Sequence, residues 1–375
     1  MKKTGIITDF YGQGNYGGIL QAYALARLVT AAGYACEQIR YDRKNDPSLS
    51  QKIRYRIYLW RHLYPIMDFI DHLLRIPVQA GLDARQRAMD EFIRRNIPFS
   101  PEIYDRKTIG QANLRYSCFI AGSDQIWSAF SRTNLLDFVA AGKKKFAYAA
   151  SIARDPLGET REKLFKELLP SFQAVSVREK GSVTQLAELG IQAQWVLDPC
   201  LMLDRTEWDT VRSERLVQEP YIFGYFLGNA PKLRQLATGY ASRKGLKLVT
   251  LPYLQKRYLS ADRNCGDIQL FDVSPADFIS LICFANTILT DSFHGSVFSY
   301  LYRKHFLVFG RQPMNMRIDS LLHLFGESHQ MLDYNQTELQ DMLNIPYTPL
   351  TEEAEKRFAE MKAASRAFLL QNLAD

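Results

Sequence analysis

Cysteine is sparse in this chain. Cys36, Cys118, Cys200, Cys265 and Cys283 are odd in number and widely scattered over 375 residues. They share no metal-ligand spacing, so neither a zinc site nor a disulfide framework is read, and reduced thiols of a cytoplasmic protein are expected. Long apolar runs are missing too: no stretch of about 18 residues suits a membrane span. The opening "MKKTGIITDFYGQGNYGG" carries two lysines but not the apolar region of a secretion signal. Low-complexity tracts and repeats at solenoid spacing are absent. No aromatic-basic recognition motif occurs, so nucleic acid is not an expected partner.

What is present is the balance of a soluble globular protein, with 47% hydrophobic and 23% charged residues. The net charge of +7 suits an anionic substrate or a lipid surface without requiring either. A chain of this length predicts two domains. "TGIITDF" reads as a strand, "YGQGNYGG" as a turn, "ILQAYALARLVTAAG" as a helix and "ACEQIRYD" as a second strand. The alternation starts again at "YIFGYFLG", followed by a helix, a strand and "SPADFISLICFAN", where Ser274, Pro275 and Asp277 are helix-start signals. The expected fold class is α/β, with two Rossmann-like domains facing a cleft. Residues 1–210 form the first, with a helical insertion at about 50–99. Residues 211–375 form the second, with a C-terminal helix.

In parallel sheets, ligands bind where strands end and helices begin. Three polar loops are expected at such ends. In "GQGNYGG", the glycines at 12, 14, 17 and 18 let the backbone approach a ligand and the following helix start offers amides to an anion, or the loop is simply a tight turn. In "AGSDQIW", Ser123, Asp124 and Gln125 leave a buried strand. Asp124 either caps the next segment or accepts a sugar hydroxyl or a proton, and Trp127 offers a stacking face for a sugar ring. In "TDSFHGSVFS", His294 lies at the start of a helix, flanked by Ser292 and Gly295, where a phosphate or carboxylate is attracted. Arg178 in "SVREKGS" can fork onto an anion or sit in a salt bridge. Arg311, Asn315 and Arg317 follow the next strand of the second half, Arg317 being equally readable as a solvated helix residue.

In this order, "NYGGILQAYAL", "FIAGSDQIW", "SVREKGSVTQLAELG", "VLDPCLML" and "LTDSFHGSVFSYL" resemble the polysaccharide pyruvyl transferase family over roughly residues 4–325. The resemblance implies a fold like that of GT-B glycosyltransferases. It implies transfer of pyruvate from phosphoenolpyruvate to a sugar of a polysaccharide or its lipid-linked precursor, as a ketal. His294 matches the family's active-site histidine and Arg178 an arginine that binds the donor. Family members often carry arginine two residues before that histidine, where this sequence has Ser292, so either Arg178, Arg311 or Arg317 supplies the charge or the donor differs. The assignment is His294 as general acid and Asp124 as base or hydroxyl anchor. Arg178, Ser292, Gly295, Arg311 and Arg317 hold the donor. Gly14, Asn15, Gly17, Gly18, Ser123, Gln125 and Trp127 hold the acceptor. Phosphoenolpyruvate is a co-substrate, and no metal or other cofactor is expected.

Two other classes stay open: a GT-B glycosyltransferase with a nucleotide-sugar donor, and a non-catalytic glycan-binding assembly protein. The segment from Gln51 to Ile76 mixes Lys52, Arg54, Arg56 and Arg61 with Tyr55, Tyr58, Trp60 and Tyr64. It reads either as a packed helical pair or as a patch for peripheral membrane contact on the inner face.

Overall fold

The computed structural model describes residues 3–10, 14–43, 78–128, 131–253, 259–311, 315–326 and 331–374. The interfacial reading of Gln51–Ile76 falls outside these residues. By internal contacts the chain divides into two compact units. The first contains Met1–Pro65, Ile93–Leu203 and Phe358–Asp375, and the second contains Ile66–Phe92 and Asp204–Arg357. The chain thus passes from one unit to the other at Leu203/Asp204, and its last residues group with the first unit.

In the first unit, β1 (Lys3–Ile7), α1 (Tyr16–Ala31) and β2 (Ala35–Tyr41) form the strand-helix-strand opening. A long helix, α2 (Gln79–Asn96), precedes β3 (Phe99–Tyr104). Then come β4 (Cys118–Ala121), β5 (Lys144–Ala150), α3 (Glu159–Leu168), β6 (Val175–Val177), α4 (Lys180–Glu188), β7 (Gln194–Trp195) and the short α5 (Pro199–Met202). The strands make one parallel sheet in the order β3-β2-β1-β4-β5-β6-β7. Both faces are covered, and the central strand β4, CFIA, is buried along its whole length. Along β4, Phe119 and Ala121 pack with Trp127, Phe165 and Phe172 on one face. Cys118 and Ile120 pack on the other face with Leu25 and Val29 of α1 and with Phe368, Leu369 and Leu373 near the C-terminus.

The second unit repeats the plan. It contains β8 (Tyr221–Tyr225), α6 (Pro231–Lys244), β9 (Lys247–Thr250), β10 (Ile268–Gln269), α7 (Pro275–Phe284) and β11 (Thr287–Thr290). These are followed by α8 (Phe293–Leu301), β12 (His305–Phe309), α9 (Met316–Phe325), β13 (Met331–Leu332) and α10 (Glu352–Leu373), whose final residues group with the first unit. This parallel sheet runs β10-β9-β8-β11-β12-β13. The start signals read at α7 form a capping box: Ser274 Oγ accepts from Asp277 N at 3.1 Å, and Asp277 Oδ2 accepts from Ser274 N at 2.9 Å. The N-terminal part of α2 docks on this unit through Arg85, whose guanidinium donates to Phe271 O, Pro252 O and Leu270 O at 2.6–3.0 Å. All five cysteines are buried free thiols. Among the described residues, no helix is long and apolar enough to cross a membrane.

Each sheet reverses its order of growth once, between β1 and β4 in the first and between β8 and β11 in the second. At such a switch point the loops leave in opposite directions and open a crevice at the carboxyl ends of the strands. Two of the three polar loops flank the first switch point, and the third lies at the second.

Candidate functional site

At the first switch point, α1 starts at Tyr16, three residues before the expected run, because Asn15 is its N-cap. Asn15 Oδ1 accepts from Gly17 N at 3.2 Å, so that amide is already used inside the protein. Gly14 precedes the cap and is half-buried. Gly18 is required by close approach: a Cβ there would lie 2.7 Å from the carbonyl oxygen of Asp9 and 3.5 Å from Asp124 Oδ2. Asn15 Nδ2 donates to Asp124 Oδ2 at 3.3 Å, joining the β1 loop to the β4 loop. Asp124 holds a left-handed backbone (φ 47°), which sharpens the turn out of β4. Gln125 is half-buried, and its carbonyl accepts from Ser128 Oγ at 2.7 Å.

Behind Asp124 is a buried ion network. Arg178 Nη2 donates to Asp124 Oδ1 at 3.0 Å, Nη1 to Asp198 Oδ2 at 2.6 Å, and Nε to Glu179 Oε1 at 3.4 Å. Ser123 Oγ donates to Asp198 Oδ2 at 3.0 Å, and Asp198 Oδ1 caps α5 through Cys200 N at 2.9 Å. Burial opposes the Arg178 charge, but Asp198, Asp124 and Glu179 outweigh it and raise the guanidinium above its ordinary value.

Two expectations are corrected here. Arg178 is not presented to a donor, because each of its nitrogens faces a carboxylate and its side chain is 1% exposed. It is the counter-ion of this loop cluster. Trp127 is not a sugar platform either. Its ring lies within 5.5 Å of Phe165 and 6.3 Å of Phe172 in the core, and its indole N–H donates to Asn134 O at 3.1 Å.

Asp9, unassigned from the sequence, belongs to the site. It sits just beyond β1 and forms a two-pronged ion pair with Arg43. Burial raises its carboxyl to about 6, Arg43 opposing and the nearby Asp124 adding to the rise. The clue was available: in "IITDF" an acid follows an apolar strand, as Asp124 does in "FIAGSD" and Asp291 in "ILTD". The role of Asp198 was masked because "VLDP" reads as the end of a strand.

At the second switch point, Asp291 accepts from Leu227 N at 2.6 Å and Gly228 N at 2.8 Å, tying the loop after β8 to the end of β11. A Cβ on Gly228 would lie 3.0 Å from Asp291 Oδ2 and 3.4 Å from Arg311 Cδ, so both side chains rest against that glycine. Tyr253, after β9, feels the same pair. Burial raises its phenol, while Arg311 lowers it and Asp291 raises it further. Asp262 is pinned by Arg234 at 2.8 and 3.1 Å and by Tyr253 N at 3.0 Å. Burial raises its carboxyl, with Arg234 opposing.

His294 is the second residue of α8. Ser292 is the N-cap, its Oγ accepting from Gly295 N at 3.3 Å. Thr290 sets the turn: its Oγ1 donates to Tyr225 O at 2.7 Å and accepts from Ser292 N at 3.0 Å. Gly295 packs on that threonine so tightly that a Cβ would lie 2.6 Å from Oγ1. The His294 ring stands edge-on to Phe293, centroids 5.1 Å apart. Asn315 Oδ1 accepts from Arg311 N at 2.5 Å, holding the loop after β12. Arg317 is buried at the start of α9, which corrects its reading as a solvated residue.

Both units therefore place polar loops at their switch points, with opposite chemistry. The first gathers Asp9, Asp124, Glu179 and Asp198 around two arginines, so a further anion is disfavoured and hydrogen-bond donors are favoured. The second offers an imidazole at a helix start and Arg311 beside a loop braced by Asp291, which suits an anion.

No curated protein sequence matches the chain. Among solved structures, it is similar to the UDP-GlcNAc 2-epimerase of Methanocaldococcus jannaschii, with TM-score 0.57 and 11% identity over 100% of both chains. It is similar also to the UDP-GlcNAc 2-epimerase of Neisseria meningitidis bound to UDP-GlcNAc, with TM-score 0.57 and 10% identity over 100% of this chain and 99% of the other. At this identity the likeness shows the fold, a GT-B-type pair of α/β units. The polysaccharide pyruvyl transferase family model matches residues 15–313, spanning the polar loops of both units, and the chain belongs to that family.

Proposed function

We propose that the protein transfers pyruvate from phosphoenolpyruvate to two hydroxyls of a sugar in a polysaccharide or its lipid-linked precursor, forming a cyclic ketal. The observation that carries this reading is the second switch point. His294 sits in the first turn of α8, on a strand-to-helix turn fixed by Thr290, Ser292 and Gly295, with Arg311 on the adjoining Asp291-braced loop.

In the proposed sequence, the His294 imidazolium gives its proton to the methylene carbon of phosphoenolpyruvate, making a methyl group and an oxocarbenium-like centre. A sugar hydroxyl adds to that centre and loses its proton. The C–O bond to phosphate breaks, phosphate leaves with the electron pair, and the second hydroxyl closes the ketal as its proton returns to the His294 imidazole. Arg311 and the α8 amides hold the donor's charge, with Arg317 at the start of α9 supporting it. Ser292 acts through the backbone, by fixing the first turn of α8. The first unit's loops receive the neutral acceptor: half-buried Gly14 allows close approach, while Asp124 and Gln125 accept from hydroxyls. Asp9, whose carboxyl burial raises to about 6, takes the hydroxyl proton. No metal or redox cofactor has a part in this sequence.

The test is incubation with phosphoenolpyruvate and a panel of aryl and lipid-linked glycosides, with phosphate release and product mass measured. Phosphate release coupled to a pyruvyl mass gain is expected. The fold shared with UDP-GlcNAc 2-epimerases favours one rival, a nucleotide-sugar donor. Release of nucleoside diphosphate from a donor panel, without pyruvyl transfer, would establish it. Glycan binding with no turnover of either donor would identify a binding protein.

A further inference from the structure

The second sheet has a cavity at its other end, where β8, β11 and β12 begin, with a volume of about 780 Å³. The strands between this end and the Asp291 loop are four to five residues long, which separates the two regions by roughly 13 Å or more. The sides of the cavity include Arg215, Lys244, Arg303, Lys304 and His305, and among the described residues no aspartate or glutamate lines it. Arg303 is neutralised by Glu355 at 2.8 Å. The other three full charges have no carboxylate partner among the described residues. Arg215 donates only to backbone carbonyls, Val217 O at 2.7 Å and Glu219 O at 3.3 Å, which orient it without neutralising it. Lys244 lies over the Tyr240 ring at 5.5 Å. Burial, and then the repulsion of Arg205 and Arg215, hold the Lys304 ammonium below its usual range. His305 is lowered by burial and by Lys244.

A simpler account is that α6 and α8 end at this edge and their carbonyl ends favour cations. Each such contact is worth about 0.3–1 kcal/mol. That explains a lysine at the end of α6, but not three uncompensated cations set round one open cavity, with Arg215 close enough to repel Lys304 and Lys244 close enough to repel a charge on His305. We propose that this cavity is a second anion site, taking a phosphate-bearing group whose charge replaces the missing carboxylates. Phe284 and Tyr347 on its wall suit an attached ring or chain. The source of that chemistry is either a soluble phosphate ester or diphosphate, or a lipid headgroup.

The site is tested by titration calorimetry of the full chain with inorganic pyrophosphate at low salt, independently of any transferase activity. Binding is expected in wild type and retained in His294→Ala. In Lys244→Gln/Lys304→Gln it should weaken about tenfold or more, as expected for losing charge-assisted contacts. Lys244→Gln alone, a change of an exposed side chain that leaves folding intact, should weaken it several-fold. In parallel, flotation with phosphatidylglycerol and phosphatidylcholine vesicles separates the sources. Flotation on phosphatidylglycerol that the double variant abolishes assigns a headgroup, and a response to pyrophosphate alone assigns a soluble ligand. The proposal is overturned if wild type binds neither probe, if His294→Ala abolishes pyrophosphate binding, or if Lys244→Gln and the double variant bind as wild type.

Discussion

The two units share a topology and differ in the charge they place at its functional end. In the first, Asp124 reaches from the β4 loop to Asn15 on the β1 loop, and its other oxygen is held by Arg178. In the second, Asp291 reaches from the β11 end to the amides of Leu227 and Gly228. Both aspartates brace a crevice. The difference lies in what surrounds the brace: two further buried acids and the Asp9–Arg43 pair in the first unit, and an imidazole and Arg311 in the second. Similar scaffolds thus place different charges at their crevices, because the sheet sets only where loops meet, and the loop residues set the field there.

Removing the imidazole should produce the largest effect on activity. His294→Ala is expected to lower turnover by ~10²–10⁴-fold, while thermal unfolding stays near wild type. Near-normal turnover would take His294 out of the mechanism. The matching change in the first unit should act on stability. Arg178→Ala leaves three buried carboxylates without their counter-ion, which should cost about 3–5 kcal/mol in denaturant unfolding. Unchanged stability with a weakened donor affinity would instead return Arg178 to the donor site.

These two residues also show what the sequence could and could not disclose. The polar loops were legible because each interrupts an apolar strand with more hydrogen-bonding groups than a turn needs, and both switch points contain them. The fold was legible from the repeated strand-helix spacing. For Arg178 the sequence left a donor contact and a salt bridge equally open, because its partners, Asp124 and Asp198, come from other loops, and a lone arginine at a strand end carries no sign of them. Trp127 was misread for the converse reason. Beside a polar loop an indole resembles a ligand platform, and only the later residues Phe165 and Phe172 show that it belongs to the core. The C-terminal helix is plain in the sequence, but its grouping is not, since Phe368, Leu369 and Leu373 give no indication of which unit they pack on.

A smaller effect is expected from Gly295→Ala. The added methyl meets Thr290 Oγ1, so the α8 start must shift, with a loss of about 1–3 kcal/mol in stability and a drop in turnover larger than that loss explains. Full activity would show that the His294 turn tolerates displacement. The smallest effect concerns pH. Asp9 binds its proton more tightly in the folded chain, near 6, than an ordinary aspartate does in the unfolded chain. Its contribution to stability is therefore complete below about pH 4 and is lost as pH rises through about 6. Asp9→Asn should remove that decline, so the stability difference between variant and wild type grows from pH 4 to 7. A constant difference would mean that Arg43 keeps Asp9 ionised throughout.

The division of labour between the units is tested most directly by the affinity for phosphoenolpyruvate, measured by calorimetry in Arg311→Ala and Asp9→Asn alongside wild type. Arg311→Ala should weaken binding by about tenfold, the effect of losing a charge-assisted contact, and Asp9→Asn should leave it equal or slightly tighter. Donor affinity that is untouched by Arg311→Ala and lost in Asp9→Asn would place the anion in the first unit and contradict the account.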